Sequence, residues 1–194
     1  MSRPNKCIKG EDGKEYWISR PAVVLAVVFK LDEETGEIYT LVERRGPAVS
    51  HTGEWCIPGG YLDWDENVKQ ACQREVVEET GLNLDLDNII SVNVNTEPDS
   101  KPQTLDFWHM CWTKKDDNFD FSKIKTVQEI LDLKWMKVAK VYKKGLFRNK
   151  FVMDIYKKTI YDGYGTWAFK SHKDKIIEML TMMVKGGKVN VLDE

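Results

Sequence analysis

Two neighbouring segments carry most of the functional information in this chain: Gly59-Gly-Tyr-Leu-Asp-Trp-Asp-Glu66 and Arg74-Glu-Val-Val-Glu-Glu-Thr-Gly-Leu82. From the end of the first segment through the second, Val68, Cys72 and Val76 recur at helical spacing, which predicts a helix over about Glu66 to Thr80. Asp65 is a suitable N-cap for this helix, and Gly81 stands where helices commonly end in a left-handed residue. The paired glycines at the start of the first segment allow the backbone to approach a metal or a phosphate closely.

Three carboxylates of this predicted helix, Glu75, Glu78 and Glu79, flank the apolar stripe that must face a sheet, given about 100° of rotation per residue. Burying them together costs several kcal/mol unless a cation or protons compensate, and the helix dipole repels anions at its C-terminal end. Oxygen ligands at positions i, i+3 and i+4 suit Mg²⁺ or Mn²⁺ better than zinc. The pattern therefore indicates a divalent-cation site. The ordinary alternative is a solvated acidic helix end paired with nearby Arg and Lys.

Composition and charge narrow the class of protein. The chain has 194 residues, of which 42% are hydrophobic and 31% charged, so we expect a single folded domain over residues 1–194 rather than disorder. The formal net charge of -2 provides no general attraction for nucleic acid. The four cysteines are scattered without metal-ligand spacing, and we expect them to be reduced. The longest apolar run is too short to span a membrane and the N-terminus has no apolar signal region, so we expect a cytoplasmic protein with no membrane partner.

The remaining chain reads as alternating strands and helices. We expect an N-terminal hairpin extension over residues 6–18, a core over 18–140, and a C-terminal segment over 141–194 that ends in a helix capped by Ser171. Residues 142–166 show no clear hydrophobic periodicity, so we assign no secondary structure to them. The predicted strands of the core are Ala22 to Phe29 at the centre of the sheet, Ile38 to Arg45 beside it, Gln103 to Thr113, and Leu133 to Val138.

The two opening segments match the signature of the Nudix hydrolase family, G-x5-E-x7-R-E-U-x-E-E-x-G-U with U aliphatic, at every specified position. The surroundings are also similar to the family, with Trp55 and Pro58 before the glycines and an Arg pair at the end of the preceding strand. The chain therefore resembles a Nudix hydrolase over about residues 18–140. The matching residues are Gly60, Glu66, Arg74, Glu75, Val76, Glu78, Glu79, Gly81 and Leu82.

The resemblance implies an α/β fold, a three-layer α/β/α sandwich with a mixed central sheet, and an enzyme that hydrolyses a nucleoside diphosphate linked to another group. Glu75 and Glu79 would be the main ligands of Mg²⁺ or Mn²⁺, with Glu78 and the Gly59 carbonyl as further ligands. The family also implies structural roles: Arg74 would orient a glutamate, Glu66 would anchor the loop to the helix, and Gly60 and Gly81 would belong to the structural motif.

Two carboxylates are candidates for the catalytic base. A divalent cation on a pyrophosphate neutralises its charge and acidifies a bound water, whose proton a nearby carboxylate must accept. Glu78 is one candidate. Glu129 is the other, because it lies where the family often supplies a carboxylate from a loop.

The substrate is less visible in the sequence. Pro98 lies sixteen residues beyond Leu82, as in the ADP-ribose branch of the family, and the hairpin also resembles that branch, in which added strands build a homodimer. Arg44 and Arg45 are candidate phosphate contacts. We therefore expect a small-molecule nucleotide partner, ADP-ribose or a sugar nucleotide first and an oxidised nucleoside triphosphate second. Removal of pyrophosphate from RNA ends is disfavoured because no basic stripe is present. A nucleotide-sensing module without catalysis is a rival, although such a module is expected to have lost a signature glutamate.

Overall fold

The computed structural model describes residues 5–97, 103–114, 117, 119, 124, 128–144, 150–184 and 187–193. The strands are β1 Lys6–Lys9, β2 Glu15–Ile18, β3 Ala22–Leu31, β4 Glu37–Arg45, β5 Trp55–Cys56, β6 Gly59–Tyr61, β7 Ile89–Asn95, β8 Leu105–Thr113, β9 Ile130–Lys144, β10 Lys150–Tyr156 and β11 Lys188–Leu192. The helices are α1 Val68–Thr80, α2 Lys157–Asp162 and α3 Lys170–Met183, with a 3₁₀ turn at Leu86–Asn88. Among these described residues, no helix combines the length and the apolar character needed to cross a membrane.

The main sheet is mixed, and its strands run in the order β11-β10-β9-β4-β3-β8-β7. Strands β3 and β8 are parallel, as are β10 and β11, whereas the β3–β4, β4–β9 and β7–β8 pairs are antiparallel. The unbroken apolar run of β3 is buried from Val24 to Phe29. This confirms the prediction that the run forms the centre of the sheet, since a strand covered on both faces needs no polar alternation.

Helices cover both faces of this sheet. On one face α1 packs on alternate residues of β3 and β4. On the other face α2 and α3 pack on the intervening residues of the same two strands. This is the predicted three-layer α/β/α arrangement. The first layer buries Val24, Ala26, Val28 and Leu41 with Ala71, Cys72 and Val76, and the second buries Val27, Phe29 and Val42 with Ile160, Ile176, Met179 and Leu180.

Strands β3 and β4 separate towards one end of the sheet. They pair directly over residues 29–31 and 38–40. Beyond that point β5 pairs with β4 and β6 pairs with β3, so the segment from Trp55 to Tyr61 crosses from one strand to the other. Gly59 and Gly60 lie on the crossing segment and next to α1. This places the backbone of the two glycines beside the carboxylates of the helix.

The predicted start of α1 was wrong by two residues. The helix begins at Val68 after Asn67, whose side-chain oxygen accepts hydrogen bonds from the backbone N–H groups of Lys69 and Gln70. The Gln70 side chain in turn accepts from the Asn67 N–H, which completes a capping box. Asp65 does not cap the helix, because Asn67 offers both halves of this reciprocal arrangement. The predicted end is confirmed, since Gly81 adopts a φ of 71° in the left-handed region.

The prediction that the C-terminal segment ends in a helix was wrong. Strand β11 follows α3 and pairs in parallel with β10, placing Val189 opposite Met153. Ser171 does not cap α3 either, because the helix already begins at Lys170, and Phe169 at its N-cap makes no side-chain hydrogen bond. The unassigned stretch contains β10 and α2, and the expected core boundary at 140 falls inside β9.

The N-terminal hairpin is present as predicted. Strands β1 and β2 pair antiparallel from Lys6 opposite Ile18 to Lys9 opposite Glu15. They form a two-stranded sheet separate from the main sheet.

Candidate active site

The site begins where the last turns of α1 lie against the crossing segment. Glu79 is 7% exposed, and its Oε2 accepts the backbone N–H of Gly59 at 2.9 Å. Glu75 lies one turn earlier, and a Cβ added at Gly60 would come within 2.3 Å of its Oε1. A larger residue at this position would therefore displace the Glu75 carboxylate from its observed place.

Arg74 connects three of the signature glutamates and the loop. Its Nε and Nη2 donate to Glu66 at 3.0 and 2.7 Å, while its Nη1 donates to Glu75 at 2.8 Å and to Glu78 at 3.2 Å. Nη2 also donates to the Tyr61 carbonyl at 2.9 Å. The bidentate contact with Arg74 lowers the pKa of Glu66. Arg74 thus ties α1 to the loop and leaves Glu79 outside its network of hydrogen bonds.

Glu43 is an acidic residue that the sequence reasoning missed. It lies on β4, is 3% exposed, and accepts the Cys56 thiol at 3.1 Å on Oε1. Its Oε2 is buried and, among the described residues, has no partner at hydrogen-bond geometry. Burial raises the pKa of Glu43 to about 7, against smaller opposing effects from Cys56, Arg45 and the neighbouring Glu79. The sequence offered one weak signal, an acidic residue two positions after Leu41 in a strand that is apolar on both faces at this point.

Burial and neighbouring charges disfavour the ionised forms of Glu79 and Glu75. The pKa of Glu79 is raised well above its ordinary value, first by burial and then by the charges of Glu43 and Glu75. Burial also raises the pKa of Glu75, despite its contact with Arg74. A site that accumulates buried carboxylates in this way requires protons or a cation for compensation.

The donor set fits a divalent cation in chemistry and burial. Its atoms are carboxylate oxygens and a nearby backbone carbonyl, which are hard ligands of the kind that Mg²⁺ and Mn²⁺ prefer. Within the described ranges, no three His, Cys, Asp or Glu side chains already converge on one point as a complete metal-binding group. Glu75 is turned towards Arg74 and Glu79 towards the Gly59 N–H. Binding an ion here therefore requires these side chains to reorient.

Both candidate bases lie close to this cluster. Glu129 is in the turn before β9, where its carbonyl accepts the Gly46 N–H at 2.5 Å. Its charge is near enough to contribute to the raised pKa of Glu79. Glu78 is partly buried and in contact with Arg74.

The two arginines at the end of β4 occupy different surroundings. Arg44 lines a cavity of about 640 Å³ together with Lys134, Trp55 and Tyr164. Consecutive residues of a strand leave opposite faces, so Arg44 and Glu43 point away from each other. Arg45 donates from Nε to the Ser50 carbonyl at 2.6 Å, and its Nη1 lies 3.7 Å from the Cys56 sulfur.

Two tryptophans and one histidine outside the cluster lie in different environments. Trp108 is buried in the core, whereas Trp64 is 95% exposed. His172 is buried under the crossing segment and accepts the Ile57 N–H on Nδ1 at 3.3 Å, and burial lowers its pKa to about 3. Pro98 lies outside the described residues.

Known proteins were compared with the chain. The m7GpppN-mRNA hydrolase NUDT17 of Danio rerio is 44% identical over 52 residues, which are 26% of this chain and 17% of that protein. The chain spans less than a third of the length of the curated relatives it matches.

Solved structures with the same fold include a MutT/nudix family protein from Enterococcus faecalis, with a TM-score of 0.64 and 18% identity over 87% of this chain and 63% of that one. A bifunctional NMN adenylyltransferase/ADP ribose pyrophosphatase from Francisella tularensis, complexed with AMP and a Mn ion, has a TM-score of 0.55 and 21% identity over 84% of this chain and 42% of that one. A family model described as the NUDIX domain matches residues 20–155. Because that match covers most of the chain, this protein belongs to the Nudix family.

Proposed function

We propose that this protein is a metal-dependent hydrolase that cleaves the pyrophosphate bond of a nucleoside diphosphate linked to another group. The observation that supports this best is the packing of the Glu75 and Glu79 carboxylates against Gly59 and Gly60. Both carboxylates have raised pKa values there. Such a site gains from a bound dication, and a dication is what a pyrophosphate needs for attack by water.

The proposed ligands are Glu75, Glu79 and the Gly59 carbonyl, with Glu78 as a further ligand directly or through water. A divalent cation, Mg²⁺ or Mn²⁺, supplies charge neutralisation at the phosphate oxygens and lowers the pKa of a bound water when it is present. The chain itself orients the carboxylates through Arg74. It then accepts the proton of the attacking water on Glu78 or Glu129, the two carboxylates beside the cluster.

The cavity beside Arg44 is the proposed site for part of the nucleotide. Arg44 and Lys134 supply positive charge for a phosphate, and the Lys134 ammonium lies 5.1 Å from the centre of the Trp55 ring. Trp55 and Tyr164 add aromatic surface for a base or sugar. ADP-ribose or a sugar nucleotide is the first proposed substrate, since the Francisella protein of the same fold is described as an ADP ribose pyrophosphatase in complex with AMP. Pro98 remains a proposed substrate contact, and Arg45 is a second proposed phosphate contact.

We further propose that the protein acts in the cytoplasm and forms a homodimer through its hairpin. Neither membranes nor nucleic acids are proposed as partners. We propose that residues 1–194 form a single catalytic domain.

The proposal is tested by incubating the full chain with ADP-ribose, sugar nucleotides, dinucleoside polyphosphates and nucleoside triphosphates in Mg²⁺ or Mn²⁺. Cleavage of ADP-ribose at its pyrophosphate yields two monophosphates, AMP and ribose 5-phosphate, whereas an oxidised triphosphate yields a monophosphate and pyrophosphate. Chromatography of the products therefore separates the two substrate classes. Tight nucleotide binding without any product would support the nucleotide-sensing module instead.

Glu79→Gln is expected to lower turnover by roughly 100-fold or more while leaving the fold intact, because it removes a charge on which the dication depends. Glu37→Gln is the matched control. Glu37 is on β4 but pairs with Lys137 and Lys140, away from the cluster. Wild-type turnover in Glu79→Gln would contradict the proposed metal site.

A further inference from the structure

Glu43 has no part in the mechanism above, although its position is unusual for an acidic residue. It projects from β4 into the layer covered by α1, and it is 3% exposed. Its Oε1 accepts a hydrogen bond from the Cys56 thiol at 3.1 Å, while its Oε2 is buried without a hydrogen-bond partner among the described residues. A thiol is a weak donor, so Cys56 orients the carboxylate without neutralising it.

The positive charge of Arg45 offsets only part of the effect of burial on Glu43. Arg45 lowers the pKa of Glu43 through its charge, but it makes no ion pair with Glu43 in the described part of the chain. Its Nε is bonded to the Ser50 carbonyl, and its Nη1 faces the Cys56 sulfur. A buried carboxylate in these surroundings is expected either to share a proton with a neighbour or to bind a cation.

The neighbour that Glu43 faces is Glu79. The two side chains come from opposite layers, Glu43 from the sheet and Glu79 from α1, and each influences the pKa of the other. Gly59, whose N–H bonds Glu79, lies on the crossing segment between them. An ion at this point would meet carboxylate oxygens from two separate elements of the fold, β4 and α1.

We propose that Glu43 is an additional ligand of the divalent cation that Glu79 binds, and that the Cys56 thiol positions Glu43 for this role. The inference rests on the proposed function, because it concerns the same metal site. Glu43 lies on β4, outside the signature segments.

Mn²⁺ binding to the full chain tests the inference, with free Mn²⁺ measured by electron paramagnetic resonance in titrations without nucleotide. Glu43→Gln is expected to raise the dissociation constant for Mn²⁺ by roughly 10- to 100-fold. Glu79→Gln is expected to raise it at least as much. Glu37→Gln, the same substitution elsewhere on β4, is expected to stay within about twofold of the wild type.

The outcomes separate this inference from the proposed function. Unchanged Mn²⁺ affinity in Glu43→Gln with weakened affinity in Glu79→Gln overturns the inference and leaves the proposed metal site standing. Unchanged affinity in both variants overturns both. If Glu43→Gln does not fold, anomalous diffraction from wild-type crystals soaked in Mn²⁺ decides the question: an ion coordinated by Glu43 supports the inference, and an ion that Glu79 binds and Glu43 does not overturns it.

Discussion

Replacing Glu43 by glutamine is expected to stabilise the metal-free protein, and the gain is expected to grow as the pH rises. The folded protein holds the pKa of Glu43 at about 7, compared with an ordinary value of 4.5. Since the folded state binds the proton more tightly than the unfolded chain, the stability contributed by protonated Glu43 is fully present below about pH 4.5. It is lost progressively as the pH rises through about 7.

The structure gives the size of this effect. One pKa unit corresponds to about 1.4 kcal/mol, so the shift of Glu43 corresponds to about 3 kcal/mol by pH 8. Glutamine has nearly the shape of the protonated acid and does not ionise. The variant is therefore expected to match the wild type near pH 4.5 and to exceed its unfolding free energy by about 3 kcal/mol at pH 8. For a chain of this size that is a rise of about 6–12 °C in Tm.

The assay is thermal unfolding by circular dichroism in EDTA at several pH values from 4.5 to 8. Comparing the variant with the wild type cancels the titration of groups that do not interact with Glu43, including His172, whose effect has the opposite sign. Glu37→Gln, which removes a carboxylate paired with Lys137 and Lys140, is expected to lose stability rather than gain it. A Glu43→Gln variant that is less stable than the wild type at pH 8, or a difference that does not change with pH, would refute the reasoning.

Three further substitutions test other parts of the structure. Gly60→Ala places a Cβ 2.3 Å from Oε1 of Glu75, so we expect the Glu75 carboxylate to be displaced, with weaker Mn²⁺ binding and a loss of at most about 1 kcal/mol in unfolding free energy, both measurable by titration. Gly81→Ala forces alanine to a φ of 71° at the end of α1, and the expected cost of about 1–2 kcal/mol should appear as a lower midpoint in urea. His172 is held neutral with a pKa of about 3, so its contribution is present above about pH 6.5 and lost as the pH falls towards 3. Between pH 6.5 and 4, protonation of this histidine in the unfolded chain is expected to cost the wild type about 3 kcal/mol of unfolding free energy. His172→Gln is expected to lack this loss when both proteins are unfolded in urea across that pH range.

The signature segments and the central strands could be predicted from the sequence because their signals are local. The apolar run of β3 needs no partner to be recognised, and Gly81 marks a helix end by its own conformational freedom. The start of α1 was harder to predict, because Asp65 and Asn67 are both good N-caps. The reciprocal bond of Gln70 decided between them.

The residues that escaped prediction depend on contacts between distant parts of the chain. Glu43 stands in a strand that is buried on both faces, so its sequence does not show which face it occupies. Its proposed role depends on Glu79, which is far away in sequence and influences Glu43 only in the folded protein. Strand β11 could not be predicted from the sequence either. It is short, mixes polar and apolar residues, and is defined by its pairing with β10.

The segment from Trp55 to Tyr61 bridges two diverging strands, and this arrangement has a consequence for how the protein refolds. Glu43 and Gly59 reach their places only after β4 and β3 have both joined the sheet, and β3 in turn depends on a parallel partner about eighty residues later in the chain. At the proposed site, metal binding is therefore expected to follow the ordering of the sheet, because pairing between distant strands is slow. Divalent ions should slow unfolding while leaving the refolding rate nearly unchanged, because they stabilise a part of the molecule that the folding transition state has not yet assembled.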